Sequence, residues 1–202
     1  MANRLILIRH GDLGESCRGR YIGRTDAALS AEGRRQAAAL AAPLARVGGA
    51  LFFSSPLLRT RETAEIALGT GQGYEIDDNL REIDFGRWEK MSFAEIVAAD
   101  PAAVDRWAAL EEEFAFPEGE PIARFRARIR AAAERAVSAP AGTVVLFAHG
   151  GVIRFFICRV LGLPDRHHLC FEVGPASISE IRIEGGRGVL SRLNDRCHLE
   201  RC

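Results

Sequence analysis

The stretch Leu5-Ile-Leu-Ile-Arg-His-Gly11 constrains this chain more than any other. Four aliphatic residues in a row are apolar on both faces of a two-residue period, which describes a strand covered on both sides, as in the middle of a parallel sheet. An interior strand has no use for Arg9 and His10 at its end unless that end meets a ligand. Two further runs behave alike. Ala50-Leu-Phe-Phe53 gives way to Ser54-Ser55-Pro56, and Thr143-Val-Val-Leu-Phe-Ala148 gives way to His149-Gly150-Gly151.

Helical signals lie between these runs. After Ser30, residues Ala37, Leu40, Ala41, Leu44 and Val47 recur at helical spacing, with Pro43 set either to kink that helix or to end it. Ser55-Pro56 reads as a hydroxyl N-cap with proline in the first turn, and Gly69 as the stop. Ile122, Phe125, Ile129, Ala132, Ala133, Ala136 and Val137 form an apolar stripe, leaving Arg124, Arg126, Arg128 and Arg130 on a solvated face. A last helix is predicted from about Val152 to Leu161, and a closing hairpin from Ser177–Ile183 and Val189–Leu193 around Gly185-Gly186.

Strands alternating with helices predict an α/β fold, a three-layer αβα sandwich with a mostly parallel central sheet and helices on both faces. At 202 residues the prior is a single domain, 1–202. The stretch at about 81–140 breaks the rhythm and carries both tryptophans, Trp88 and Trp107, so it reads as a mostly helical insertion over the active site. Those tryptophans suit either its core or a substrate pocket.

Lys+Arg and Asp+Glu balance at 27 each, which argues against a nucleic-acid partner. No apolar run approaches a membrane span. Only four apolar residues separate Met-Ala-Asn-Arg from Arg9, which is no secretory core, and five scattered cysteines fit reduced thiols, so a cytoplasmic location is expected. The C-terminal Cys-His-Leu-Glu-Arg-Cys and His167-His168 lack paired ligand spacing, so no metal is expected. Gly69-Thr-Gly-Gln-Gly73 follows a helix and precedes a strand, the wrong order for a dinucleotide fingerprint, so no cofactor is expected.

In open α/β sheets, ligands bind beyond the carboxyl ends of the strands. Those ends deliver Arg9 and His10, then Ser55 with Arg59 in the next helix, then His149 with another helix start. Two imidazoles, two guanidiniums and two helix N-termini at one edge make a cup for a phosphate. No cysteine has an arginine six positions on, no Asp-x-Asp ends a strand, and no Gly-x-x-x-x-Gly-Lys-Ser/Thr cradle is present. A histidine able to form phosphohistidine is the remaining nucleophile. Glu82, Asp84 and Glu89 are equal candidates for an acid.

LILIRHG, SSPLLRTRETA, LREIDFGRWE and FAHGGVIR, in this order, resemble the histidine phosphatase superfamily, also called phosphoglycerate-mutase-like, over nearly the whole chain from about Arg4 to Asp195. The resemblance implies a metal-independent phosphomonoester hydrolase. It makes His10 the phosphorylated nucleophile, gives Arg9, Arg59 and His149 the phosphate, and makes Glu82 the acid. Gly23 and Gly150 join these as substrate-binding positions. Asp12-Leu13 stands where most relatives read Glu-Thr, and Ser16 takes the place of a phosphate-holding asparagine, with a shorter hydroxyl to donate. GRYIGRTD, FPEGEP and SRLND look like the α-ribazole phosphatase branch of cobalamin assembly, which implies α-ribazole 5′-phosphate as the small phosphorylated substrate. Alternatives of the same kind are a mutase returning the phosphoryl group to a second hydroxyl and a broad-specificity sugar-phosphate phosphatase; one of another kind is a non-catalytic phospho-ligand binder. A homodimer stays open.

Overall fold

A computed structural model describes residues 1–109 and 111–200; Cys202, and with it the end of the Cys-His-Leu-Glu-Arg-Cys stretch, lies outside them. Six strands form one sheet: β1 (Arg4–Arg9), β2 (Ala50–Ser54), β3 (Glu75–Ile76), β4 (Thr143–Ala148), β5 (Ile178–Glu184) and β6 (Arg187–Asp195). Their order is β3-β2-β4-β1-β5-β6. The first four run parallel, while β5 pairs antiparallel with β1 and β6 with β5. Seven α-helices occur among the described residues: α1 (Ala31–Ala39), α2 (Ala41–Leu44), α3 (Leu58–Leu68), α4 (Phe93–Ala99), α5 (Pro101–Ala108), α6 (Ile122–Ser138) and α7 (Gly150–Leu161). None is long and apolar enough to cross a membrane.

The doubly apolar runs work as their pattern requires. Leu5, Leu7, Phe53, Val144 and Leu146 enter one core with the inner faces of α6 and α7. Their neighbours Ile6, Ile8, Phe52, Val145 and Phe147 enter a second core with Leu40, Leu44, Ala64 and Ala67 from the α1–α3 side. Alternate residues of one strand thus feed opposite layers, which is the αβα sandwich.

Some helix boundaries differ from expectation, each for a physical reason. The helix after Ser30 ends at Ala39 and restarts as α2, because Pro43 offers no N–H to continue the ladder. Helix α3 begins at Leu58, not at Pro56. Ser55 is fully buried and bonds His149, and the Leu58 N–H is instead capped by Asp26 Oδ1 at 2.7 Å. Helix α7 begins two residues early, at Gly150. Arg128 does not belong to a solvated face: its side chain is 10% exposed and points inward.

Between Arg81 and Pro140, α4, α5 and the start of α6 enclose an aromatic cluster. Trp88 is fully buried, its Nε1 donating to Asp100 Oδ2 at 2.8 Å. Phe116 meets Trp88, Phe85 and Phe114 edge-on, with centroids 5.6, 5.1 and 5.1 Å away. Trp107 packs 5.8 Å from Trp88 as part of the same cluster and also lines the cavity described below.

The loop after β1 is pressed onto α1. A Cβ on Gly33 would lie 2.1 Å from the Asp12 carbonyl oxygen, and one on Gly11 would lie 2.5 Å from the Gly33 oxygen. Ser30 caps α1 and also donates to Asp12 Oδ1 at 2.9 Å, so cap and loop share one hydrogen-bonded knot. In an open helix, Gly→Ala stabilises by about 1 kcal/mol. Here the sign reverses: Gly33→Ala is expected to cost about 1–3 kcal/mol through overpacking and to lower Tm by roughly 3–8 °C in a thermal melt. A raised Tm would show that the loop does not rest on this helix.

Candidate active site

The parallel order β2-β4-β1 sets three strand ends side by side. The His10 N–H bonds the Ala148 carbonyl and the Ser55 N–H the Phe147 carbonyl, each at 3.0 Å, so the ladder continues to the last residue before the site. His149 therefore lies between His10 and Ser55. Its ring centroid is 5.3 Å from that of His10, and its Nε2 is 2.8 Å from Ser55 Oγ.

Both tautomers follow from the partners. His10 Nδ1 is 2.7 Å from the Gly11 carbonyl oxygen, which can only accept, so Nδ1 carries the proton and Nε2 keeps its lone pair. His149 Nδ1 accepts from Arg59 Nε at 3.1 Å, because a guanidinium only donates; its proton is on Nε2 and goes to Ser55 Oγ. Thr63 Oγ1 accepts the Gly11 N–H at 3.1 Å while donating to the Arg59 carbonyl, so α3 fixes the turn that fixes His10.

Arg59 is fully buried in the first turn of α3, against the helix dipole. Its partners explain that position. Besides His149 it donates to the carbonyls of Thr25 at 2.8 Å, Gly23 at 2.8 Å and Ile22 at 3.3 Å. Burial lowers its pKa, opposed chiefly by the charges of Glu82 and Glu89. Arg9 donates to the Val173 carbonyl at 2.6 Å, and its Nε is buried without a partner. Desolvation pulls its pKa down to about 10. Among the described residues, neither guanidinium pairs directly with a carboxylate.

The three acidic candidates separate by their contacts. Glu82 is 7% exposed, lines the cavity, and accepts from the backbone N–H of Gly151 at 3.0 Å and of Ile83 at 3.1 Å. Glu89 turns away and gathers the amides of Gly23, Arg24 and Thr25, the loop whose carbonyls hold Arg59. Asp84 closes a turn on Gly86. Only Glu82 faces the space in front of His10.

That space is a cavity of about 560 Å³ whose polar end includes Arg9, His10, Glu82, Gly150 and Gly151, with Tyr21, Phe85, Trp107 and Phe155 on its apolar side. Arg59 and His149 do not line it; their contact with His10 is through the neighbouring His149 ring. Gly23 is packed under Ile83 and Glu89, where a Cβ would fall 2.0 Å from the Ile83 oxygen. Ser16 is exposed and its hydroxyl is 3.9 Å from Cys17 Sγ; Cys17, not Ser16, borders the cavity. The two helix N-termini also differ from expectation, because the Gly151 and Leu58 amides are already taken by Glu82 and Asp26.

Residues that sequence reasoning passed over include Arg154, in the last motif, which lines the cavity beside Arg9 and has no carboxylate partner among the described residues. Ser55, Thr63 and Glu89 act through backbone and ring contacts that no spacing rule announces.

Burial, then Arg59, then Arg9 hold the His10 pKa well below the ordinary imidazole value; burial, Arg59 and His10 do the same to His149. Both rings are neutral in the fold and take up protons more readily once unfolded. The unfolded chain therefore binds more protons below its own histidine value of about 6.5. Stability from these groups is complete above that pH and is lost as pH falls through it toward the lowered folded values. His168 and His198, lowered first by burial, add to the same slope. The urea midpoint is expected to hold steady above about pH 7 and to fall between about pH 6.5 and 5. A midpoint that rises on acidification over that range would contradict neutral buried rings.

The family model for the histidine phosphatase superfamily (branch 1) matches residues 5–196. Phosphoserine phosphatase 1 of Hydrogenobacter thermophilus is 34% identical over 198 residues, which span 97% of this chain and 94% of that protein. The crystal structure of an alpha-ribazole phosphatase from Shigella flexneri superposes with a TM-score of 0.84 at 29% identity, covering 96% of each chain. The mycobacterial glucosyl-3-phosphoglycerate phosphatase, in a complex with VO3, gives a TM-score of 0.80 at 33% identity over 96% of this chain and 99% of that one. With its strand-end histidines and motif order in place, the chain belongs to the histidine phosphatase superfamily, branch 1, and is a phosphoric monoester hydrolase.

Proposed function

We propose that the protein hydrolyses a small phosphate monoester through a phosphohistidine on His10 Nε2. The observation that carries this reading is the Nδ1–Gly11 bond, which leaves Nε2 as the free lone pair of a neutral ring. In the first half-reaction, the Nε2–P bond forms and the ester P–O bond breaks. Protonated Glu82 gives its proton to the leaving oxygen. In the second, Glu82 takes a proton from water as that water attacks phosphorus, the N–P bond breaks, and inorganic phosphate leaves. Arg9, with an unpartnered buried Nε, and the buried charge of Arg59 stabilise the transferring group. His149, off the cavity lining and bonded at both ring nitrogens, is assigned the support of Arg59 as a neutral dipole, and Gly150 is the backbone that leaves room for phosphate beside Arg9. Ser16 and Gly23 are assigned no phosphate contact, on the positions described above.

For the substrate, the branch-specific stretches favour α-ribazole 5′-phosphate, and the apolar side of the cavity suits a flat ring. Arg154 favours a second reading. A guanidinium with no carboxylate partner among the described residues, beside the phosphate end, suits an ester that carries another acid group, as the names phosphoserine phosphatase and glucosyl-3-phosphoglycerate phosphatase imply for two relatives.

His10→Ala is expected to lower turnover at least about 10³-fold. Rapid quench with labelled substrate is expected to trap acid-labile, base-stable label on the wild type only. Full turnover by the variant, or wild-type protein that releases phosphate without ever carrying label, would sink the covalent route. A panel of α-ribazole 5′-phosphate, phosphoserine, 3-phosphoglycerate and p-nitrophenyl phosphate decides the substrate. If the second reading holds, Arg154→Gln raises KM roughly tenfold or more for the two acid-bearing esters and little for p-nitrophenyl phosphate. An equal change for all would remove Arg154 as a determinant.

A further inference from the structure

Glu82 stands on a segment with little regular structure, a 3-10 turn at Asp78–Leu80 followed by extended chain. Something must aim its carboxylate, because that segment has no ladder of its own. Arg128 is in position to do so. From the second turn of α6 its Nη1 donates to the Asn79 carbonyl at 2.9 Å and also to the Arg81 carbonyl, and its Nη2 donates to the Glu82 carbonyl at 3.1 Å. Nε and Nη2 meet Glu120 Oε1 and Oε2, both at 2.8 Å. Glu120, 4% exposed, reaches on to the Asp84 N–H at 3.5 Å, while its own N–H bonds the Asp84 carbonyl at 2.9 Å. Below, the guanidinium lies over Phe125, 4.5 Å from the ring centroid.

We infer that Arg128 and Glu120 form a clamp whose task is to position Glu82 for proton transfer. The inference rests on the assignment of Glu82 as the acid. The clamp grips the backbone of residues 79–84 from one side, and the Glu82 side chain leaves on the other, toward Gly151. A planar fork with five N–H groups can hold three carbonyls and a bidentate carboxylate together; an ammonium cannot. Arg128 and Glu120 are positioning residues, since neither lines the cavity.

Leaving-group dependence separates this role from general support of the fold. A nitrophenolate departs without help, whereas an alkoxide needs the proton from Glu82. The ratio of kcat/KM for p-nitrophenyl phosphate to that for an alkyl phosphate reports this, because kcat/KM reflects phosphoryl transfer to the enzyme and not the later attack of water. Arg128→Lys keeps the charge opposite Glu120 and the stem over Phe125. It is expected to lower kcat/KM roughly 10- to 100-fold for the alkyl ester and less than about threefold for the nitrophenyl ester. Glu120→Gln, a second variant should Arg128→Lys not fold, is expected to shift the ratio the same way. Glu82→Gln serves as the reference. A changed ratio in Glu82→Gln with an unchanged ratio in folded Arg128→Lys and Glu120→Gln overturns the clamp alone. An unchanged ratio in Glu82→Gln overturns the acid assignment and the clamp with it.

Discussion

A buried guanidinium without an ion pair is the constraint around which this structure is arranged. Arg59 has no exposed surface and among the described residues meets no carboxylate directly; its charge is shared among backbone carbonyls and the Nδ1 of His149. Holding a cation in this way costs stability compared with an apolar residue of similar size. It makes sense where an anion completes the site, and Arg9, whose buried Nε has no partner among the described residues, repeats the arrangement.

The nearby carboxylates are correspondingly diverted. Glu89 holds the amides of the Gly23–Thr25 loop, Asp26 the first amide of α3, Asp12 the amide of Gly14, and Glu82 the amides of Ile83 and Gly151. Each one bonds backbone instead of pairing directly with Arg9 or Arg59, and acts on those charges only from a distance. The positive field is left for the ligand, and it adds to burial, the larger cause, in holding the pKa values of His10 and His149 down. One arrangement thus attracts phosphate and preserves the nucleophile.

Much of this was legible in the sequence because strand ends are cheap to recognise. Four consecutive aliphatic residues ending at Arg9-His10 describe both the element and the direction its end faces. The layers and the hairpin followed from periodicity in the same way. Three things were not legible. Ser55 looked like an N-cap because Ser-Pro usually is one; its burial against His149 depends on β4 lying next to β2, which is a matter of topology. Arg128 looked like one of four solvated arginines, since a helical wheel cannot know that the 79–82 carbonyls come to meet that side of α6. Choosing Glu82 over Asp84 and Glu89 needed either the motif or the coordinates, because three carboxylates within eight residues offer the same chemistry to a reader of the sequence.

Protonation of one ring therefore carries the account. Nitrogen-15 chemical shifts of the His10 imidazole in the ligand-free protein, identified by their loss in a His10→Asn variant, report it directly. A neutral ring protonated at Nδ1, with Nε2 showing the shift of a bare nitrogen from about pH 7.5 down past about 6.5, is the predicted result. A ring protonated at Nε2, or one doubly protonated at neutral pH, would contradict it.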